Sequence, residues 1–202
     1  MMYAGLSKLN TIFDIHIAAP TQSASAFLCP TIMTFLALPA LLSNNHKRIA
    51  VISSEKEYTG IERYKGFMEA MQQAGLEVPE EYQKKGSHSI EFGHQSMEEL
   101  LALKDRPTAV FMTNYEITLG AIMAVNESSY RCPDDISLLG FDNLILSHLV
   151  QPQMVMVVQP MKEMCEKAVE ILMRRINEGM DGMPMEISLS TVLQEGNSIR
   201  KL

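Results

Sequence analysis

Asp142, Asn114, Arg63 and His88 are the side chains of this sequence best placed to do chemistry together. A carboxylate accepts hydrogen bonds from two vicinal hydroxyls, an amide donates and accepts, and a guanidinium donates in a planar fork. A flat ring can cover the apolar face of a sugar or a base. Brought to one rim, such a set suits recognition of a hydroxyl-rich small molecule. Each residue also has a plainer role open to it. Asp142 can cap the segment after it, and Asn114 can cap a helix beginning near Glu116. Arg63 can be solvated or ion-paired, and His88 can simply face water.

No enzyme signature competes with this reading. The sequence contains no Gly-x-Gly-x-x-Gly, Walker-type loop, Gly-x-Ser-x-Gly or His-Glu-x-x-His. Asp134 and Asp135 follow Pro133 and read as turn chemistry, and Glu116 has no evident partner that would make it a base. Cys29, Cys132 and Cys165 are scattered, without Cys-x-x-Cys or a histidine at ligand spacing. That argues against a disulfide framework or a zinc site and for a reducing cytoplasm. Methionine is plentiful at 16, but Met68, Met71 and Met164 fall at helical spacing, as core fillers do. No cofactor is implied.

The elements that must position these side chains alternate along the chain. A β-branched run at 49–52 predicts a buried strand, and the stripe Tyr64, Phe67, Met68 and Met71 predicts a helix over 62–74, ended by Gly75. Pro79 begins a turn, and 86–89 reads as a loop before a second helix through 103 with Gly93, Met97, Leu100 and Leu101 on its apolar side. Strands are predicted at 109–112, 137–141 and 155–158, and helices at 117–127 and 162–177, the last with Met164, Cys165, Ala168 and Leu172 as its stripe. Alternation over 185–193 suits a half-exposed strand. The fold class is therefore α/β, a mainly parallel sheet with helices on both faces. Ligands of such sheets bind at the carboxyl ends of the strands, which is where Arg63, Asn114 and Asp142 fall.

With 202 residues, 47% hydrophobic and 20% charged, the chain can bury a real core and is one domain, or a domain plus a fragment. A net charge of −7 leaves no basic surplus for phosphates and argues against autonomous nucleic-acid binding. Residues 1–46 carry only Lys8 and Asp14, so the negative charge belongs to 47–202. The apolar run 25–42 approaches the length of a membrane span, but Pro30 and Pro39 interrupt it and no basic cluster flanks it. Neither a membrane role nor an export signal is expected.

Four strings, HKRIAVIS at 46–53, ERYKGFMEAM at 62–71, RPTAVFMTNYEITLGAIMAV at 106–125 and CPDDISLLGFDN at 132–143, resemble the sensor domain of LacI/GalR-type bacterial transcription regulators. The resemblance covers about 47–202, including QPMKEMCEKAVEIL at 159–172. It implies a periplasmic-binding-protein-like fold of two α/β lobes that close on a small effector, a sugar or nucleobase, and a homodimer whose DNA affinity the effector controls. Carried over position by position, the family's arginine falls on Arg63, its asparagine on Asn114 and its aspartate on Asp142. An aromatic position falls on His88, and a common hydroxyl contact falls on Thr59, four residues before Arg63.

The sequence departs from the family at several points. Tyr115 stands where aspartate usually follows the asparagine, and Met154-Val155-Met156-Val157 replaces the threonine-bearing crossover. The helix-turn-helix headpiece that contacts DNA is not found in 1–46, nor is the strand–helix alternation of the first lobe. The expectation is thus one complete lobe plus a remnant: 1–46 an atypical apolar segment, 47–153 and 184–202 the second lobe, and 154–183 a crossover strand and helix of the first. The expected role is the ligand-sensing part of a regulator, cytoplasmic and not an enzyme, touching DNA only through the missing headpiece. A periplasmic-type sugar-binding protein and a non-functional truncated remnant are the alternatives.

Overall fold

The computed structural model describes residues 37–142, 149–178 and 191–202, together with the strand residues 15–16, 27–28 and 186–187. In chain order the strands are β1 (Ile15–His16), β2 (Phe27–Leu28), β3 (Ile49–Ser54), β4 (Gln83–Gly86), β5 (Ala109–Met112), β6 (Ser137–Phe141), β7 (Val155–Val158), β8 (Glu186–Ile187) and β9 (Val192–Gln194). The helices are α1 (Pro39–Leu42), α2 (Tyr58–Gln73), α3 (Ile90–Ala102), α4 (Tyr115–Glu127) and α5 (Met161–Glu178). The chain divides into two units, one of Met1–Cys29 and Gln159–Val192, the other of Pro30–Val158 and Leu193–Leu202.

The larger unit is built on a six-stranded sheet of order β4-β3-β5-β6-β7-β9, in which β3, β4, β5, β6 and β7 run parallel. Every residue of β3, β5 and β6 is buried, as expected of strands covered on both faces. Partners in register share a face. Ala50, Val110 and Leu138 turn with Met156 towards α3 and α4, where they meet Met97, Leu100, Ile117 and Ala121 in one core. Val51, Phe111 and Leu139 are also in register, one residue on, and so face the other way, towards α2. There Phe67 of α2 stacks on Phe111 with ring centroids 6.2 Å apart. Helices therefore cover both faces.

Helices α3 and α4 approach closely because each has a glycine at the crossing. A Cβ on Gly93 would lie 2.4 Å from the Ile117 carbonyl oxygen, and one on Gly120 would lie 1.9 Å from that of Ile90. Both obstacles are backbone, which cannot rotate away.

At the amino ends of the strands the last residues form a strap. Ser198 Oγ donates to the Leu138 carbonyl at 2.7 Å and accepts from Val155 N at 2.8 Å, tying β6 to β7. Arg200 N donates to Ser137 Oγ at 3.1 Å, and Leu202 N to the Asn44 carbonyl at 3.0 Å. His46, only 1% exposed, sits between Thr108 Oγ1 at 2.9 Å and the Arg200 carbonyl at 3.0 Å. A carbonyl can only accept, so Nε2 carries the proton and Nδ1 accepts from Thr108.

The smaller unit contains the antiparallel sheet β2-β1-β8, with Ile15 opposite Leu28 and Ile187, and the helix α5. Of its expected apolar stripe, Cys165, Ala168 and Leu172 are exposed, whereas Ile171 is buried. Periodicity marks an apolar stripe whether or not anything packs on it.

Several expectations are corrected. Strand β4 is not among the predicted strands, and only its last residue falls in the expected loop 86–89: its residues Gln-Lys-Lys-Gly have no apolar alternation, yet they pair in parallel with β3 from Val51↔Gln83 to Ser54↔Gly86. Helix α2 begins a turn earlier than its stripe, at Tyr58. Strand β7, expected in the first lobe, pairs with β6 through Leu139↔Val155 and Phe141↔Val157 and belongs to the larger unit, which buries Val155 and Val157. Leu38 and Leu41, assigned to the atypical segment, are fully buried in that same unit, and Pro39 opens α1. The predicted strand over 185–193 is described only at Glu186–Ile187 and from Val192 onward; the rest lies outside the described residues, as does most of the run 25–42. Among the described residues, no helix is long and apolar enough to cross a membrane.

Two predictions follow from the packing. Gly120→Ala should lower stability in urea by about 1–3 kcal/mol, the helix propensity gained being smaller than the strain. Burial lowers the His46 pKa below its ordinary 6.5; the Arg200 carbonyl bond opposes this and the Arg200 charge adds to it. The unfolded chain therefore takes up this proton before the folded one does, so stability is full above pH 6.5 and falls as pH drops below it. Urea midpoints measured from about pH 7.5 to about pH 5.5 should fall less steeply in His46→Gln than in the parent.

Candidate functional site

The carboxyl ends of β3, β5 and β6 converge on Arg63. This side chain rises from α2 on the helix face that carries Phe67 and Ala70 into the core. Its Nη1 donates to the Thr113 carbonyl, one residue past β5, at 2.6 Å. Its guanidinium carbon lies 3.6 Å from the centroid of the Phe141 ring, at the end of β6. Its Nη2 lies 3.5 Å from Asp142 Oδ2. Arg63 is 5% exposed, and burial pushes its pKa down to about 10 against the opposing pull of Asp142. It remains a cation at neutral pH.

Asp142 occupies the left-handed region, with φ of 64°. Aspartate and asparagine tolerate this conformation better than most residues. Asp142 N donates to the Val157 carbonyl at 2.8 Å, which extends the β6–β7 ladder by one bond. The turn sets the carboxylate beside Arg63 while leaving its side chain 29% exposed. Asn143, which follows it, lies outside the described residues.

Asn114 is the N-cap of α4. Its Oδ1 accepts from Ile117 N at 2.9 Å, and its own carbonyl accepts from Thr118 N and Thr118 Oγ1. The capping role is therefore real, but it uses only the oxygen of the amide. The residue is 4% exposed, and its Nδ2 is buried without a hydrogen-bond acceptor among the described residues. Arg63 Nε is buried in the same condition. Buried N–H donors left unpaired are costly, and a bound acceptor would relieve them.

Thr113 links the centre to β3. Its Oγ1 donates to Ser53 Oγ at 3.0 Å, and Ser53 Oγ donates to the Gly60 carbonyl at 2.9 Å. Ser54 Oγ is buried with no partner among the described residues. These hydroxyls were not singled out from the sequence; their one signal was their position directly after a strand.

His88 and Thr59 stand apart from this cluster. His88 Nε2 is 2.6 Å from Glu116 Oε2, so Glu116, expected to lack a partner, has one in the first turn of α4. Thr59 is half-buried in the first turn of α2, one turn before Arg63, and no hydrogen bond joins it to the other site residues. The structure thus brings together Arg63, Asp142 and, through Thr113, Asn114.

The arrangement is a rim of one buried cation, one partly exposed carboxylate and donors unpaired among the described residues. Ser53 and Thr113 bond to one another and to a carbonyl, so among the described residues neither is paired with a base. Among the described residues no cluster of histidine, cysteine and carboxylates could hold a metal. A groove of about 310 Å³ lined by Glu98, Leu101, Ala124, Glu127 and Tyr130 lies on α3 and α4, away from this rim.

A parallel sheet with helices on both faces and a polar cluster at its carboxyl ends defines a class of small-molecule binding domains. Residues 38–199 match the periplasmic binding protein-like domain, and the chain belongs to that family. It is 41% identical over 143 residues to the HTH-type transcriptional repressor PurR of Mannheimia succiniciproducens, covering 70% of this chain and 43% of that one. It is 32% identical over 174 residues to catabolite control protein A of Priestia megaterium, covering 85% and 52%. Among solved structures it resembles the transcriptional regulator CelR in complex with cellobiose, with a TM-score of 0.77 and 29% identity over 84% of this chain and 52% of that one. The chain spans about half the length of the curated relatives it matches.

The two ends of the Asn114 amide are separable. Asn114→Ala should cost about 1 kcal/mol by loss of the cap, whereas Asn114→Ser should cost little, because serine caps as well. Urea unfolding of the two variants distinguishes them.

Proposed function

We propose that this chain is the effector-sensing portion of a bacterial transcription regulator, and that it binds a small hydroxyl-rich molecule of the sugar or nucleobase class at the Arg63–Asp142–Asn114 rim. The observation that carries this reading is the pairing of a partly exposed carboxylate with a buried guanidinium, beside two buried N–H donors that have no acceptor among the described residues. A ligand hydroxyl can donate to Asp142 and accept from Asn114 Nδ2 at once, which water does less well than a preorganised polyol. His88 and Thr59 contribute at the edges of the site, His88 as a ring held by Glu116.

The work of such a domain is binding, not covalent chemistry. An effector acts by favouring one arrangement of the complete regulator over another, and only to the extent that it binds the two unequally. In the complete protein a homodimer and a separate DNA-reading module would carry the response, in the cytoplasm. The PurR relative, named as a transcriptional repressor, and CelR, named as a transcriptional regulator, support this reading.

Calorimetric titration of the chain with monosaccharides, disaccharides and nucleobases tests it. One class should bind, and Asp142→Ala should weaken that binding by about a hundredfold, as expected for loss of a charged hydrogen-bond partner. Asn114→Ser should weaken it by about tenfold while leaving the unfolding midpoint in place. Binding that survives Asp142→Ala, or no binding across the panel, would overturn the proposal.

A further inference from the structure

A buried polar atom left without a partner is costly, and a bound molecule is one way of supplying the partner. Among the described residues five side-chain atoms are in that state: Ser54 Oγ, Glu57 Oε2, Arg63 Nε, Asn114 Nδ2 and Arg200 Nε. The first four all belong to the carboxyl ends of β3 and β5 or to α2, which follows β3. Arg63 Nε and Asn114 Nδ2 are donors of the rim already described. Ser54 and Glu57 extend it in a new direction.

Ser54 ends β3 and is 2% exposed. Glu57, half-buried, stands at the N-cap of α2, yet its side chain makes no capping hydrogen bond. The plain role of a carboxylate at a helix start is therefore not the one it plays. Its backbone carbonyl serves the helix instead, accepting from Ile61 N at 3.0 Å. The loop between these two residues is tied to the centre of the site. Ser53 Oγ donates to the Gly60 carbonyl at 2.9 Å and accepts from Thr113 Oγ1 at 3.0 Å, and the Thr113 carbonyl accepts from Arg63. Gly60 packs so tightly that a Cβ there would fall 1.9 Å from Ser54 Oγ. The chain offers Glu57 no cation in return. Glu55 and Lys56 are exposed, Lys85 lies over the Tyr64 ring at 5.0 Å, and Arg63 is 3.5 Å from Asp142. Among the described residues none of these cations is within ion-pair distance of Glu57.

We propose that Ser54 and Glu57 form a subsite for an ammonium group, and that the effector of this chain is an amino sugar. This rests on the reading that the Arg63–Asp142–Asn114 rim binds a polyol. The four partnerless atoms divide by chemistry. Arg63 Nε and Asn114 Nδ2, beside the end of β5, donate and ask for oxygen, which a sugar hydroxyl supplies. Glu57 Oε2 accepts and Ser54 Oγ can accept, so the end of β3 asks for a donor. An ammonium carries three N–H donors and no lone pair, and can serve both oxygens at once. Its charge also answers the carboxylate. A charge-assisted hydrogen bond is about twice as strong as a neutral one, and a hydroxyl would leave the buried negative charge uncompensated. Adjacent strands lie about 4.8 Å apart, so a single sugar ring can reach from the end of β3 to that of β5.

Calorimetry on the full chain with matched pairs of sugars tests this: glucosamine against glucose, galactosamine against galactose, and mannosamine against mannose. At neutral pH the amino sugar of at least one pair should bind about tenfold more tightly than its hydroxyl twin. Repeating the titration at a pH where the amine is neutral should remove that advantage without changing the shape of the ligand. Glu57→Gln, with its unfolding midpoint checked against the parent, should bring the affinity ratio within the pair close to one. If that variant does not fold, the pH series on the parent decides the matter. A ratio near one in every pair that binds, or an advantage that survives Glu57→Gln, overturns this inference alone; loss of binding in Asp142→Ala then still upholds the rim. Should no sugar of any pair bind, the reading of the rim fails and this inference falls with it. Tighter binding of adenine than of any amino sugar would also overturn it, assigning the subsite to the amino group of a base.

Discussion

A charged guanidinium buried at the carboxyl ends of β3, β5 and β6 is the constraint from which the rest of the site follows. Arg63 is held from three sides: a carbonyl past β5, an aromatic ring at the end of β6, and a carboxylate in the turn beyond it. Such a charge is tolerable only where its partners are already in place, because removing any one leaves the others facing an uncompensated group. The requirement explains why Asp142 accepts a left-handed backbone and why the β6–β7 ladder runs one bond past the strand. It also makes the strand ends rigid with respect to α2, so a solute at the rim meets a prepared surface.

Much of the fold could be read from the sequence. The runs at 49–52, 109–112, 137–141 and 155–158 are strands because burial on both faces demands uninterrupted apolar residues, and a continuous run is what a sequence displays most plainly. Strand β4 escaped notice for the converse reason. It lies at the edge of the sheet, and its backbone pairing with β3 asks nothing of its side chains. The early start of α2 was hidden because Tyr58 and Thr59 lie in its first turn, ahead of the apolar stripe that marks the buried side of the helix. Which lobe β7 belongs to could not be read from local pattern at all, since pairing partners are a property of the whole chain.

The site was legible in part. Arg63, Asn114 and Asp142 stood out because each follows or faces a strand end, and the structure brings Arg63 and Asp142 into contact. For Asn114 the two readings open in the sequence proved compatible, the oxygen capping a helix and the nitrogen left unspent. Ser53, Ser54 and Thr113 were invisible as site residues, since a hydroxyl after a strand is common and only the chain of bonds through Gly60 gives these a place. The pairing of His88 with Glu116 joins residues far apart in sequence, which no local motif encodes.

The strap has a topological consequence. Leu202 N meets the Asn44 carbonyl at 3.0 Å, and Asn45 Nδ2 meets the Leu202 carbonyl at 3.0 Å. The chain therefore ends beside the turn that follows α1, and residues 159–191 separate β7 from β9 in sequence. In graph terms the unit is a nearly closed ring. A circularly permuted chain, joined by a linker from Leu202 to the start of α1 and opened between β7 and β9, would keep α1 and every parallel strand pair that the native order makes.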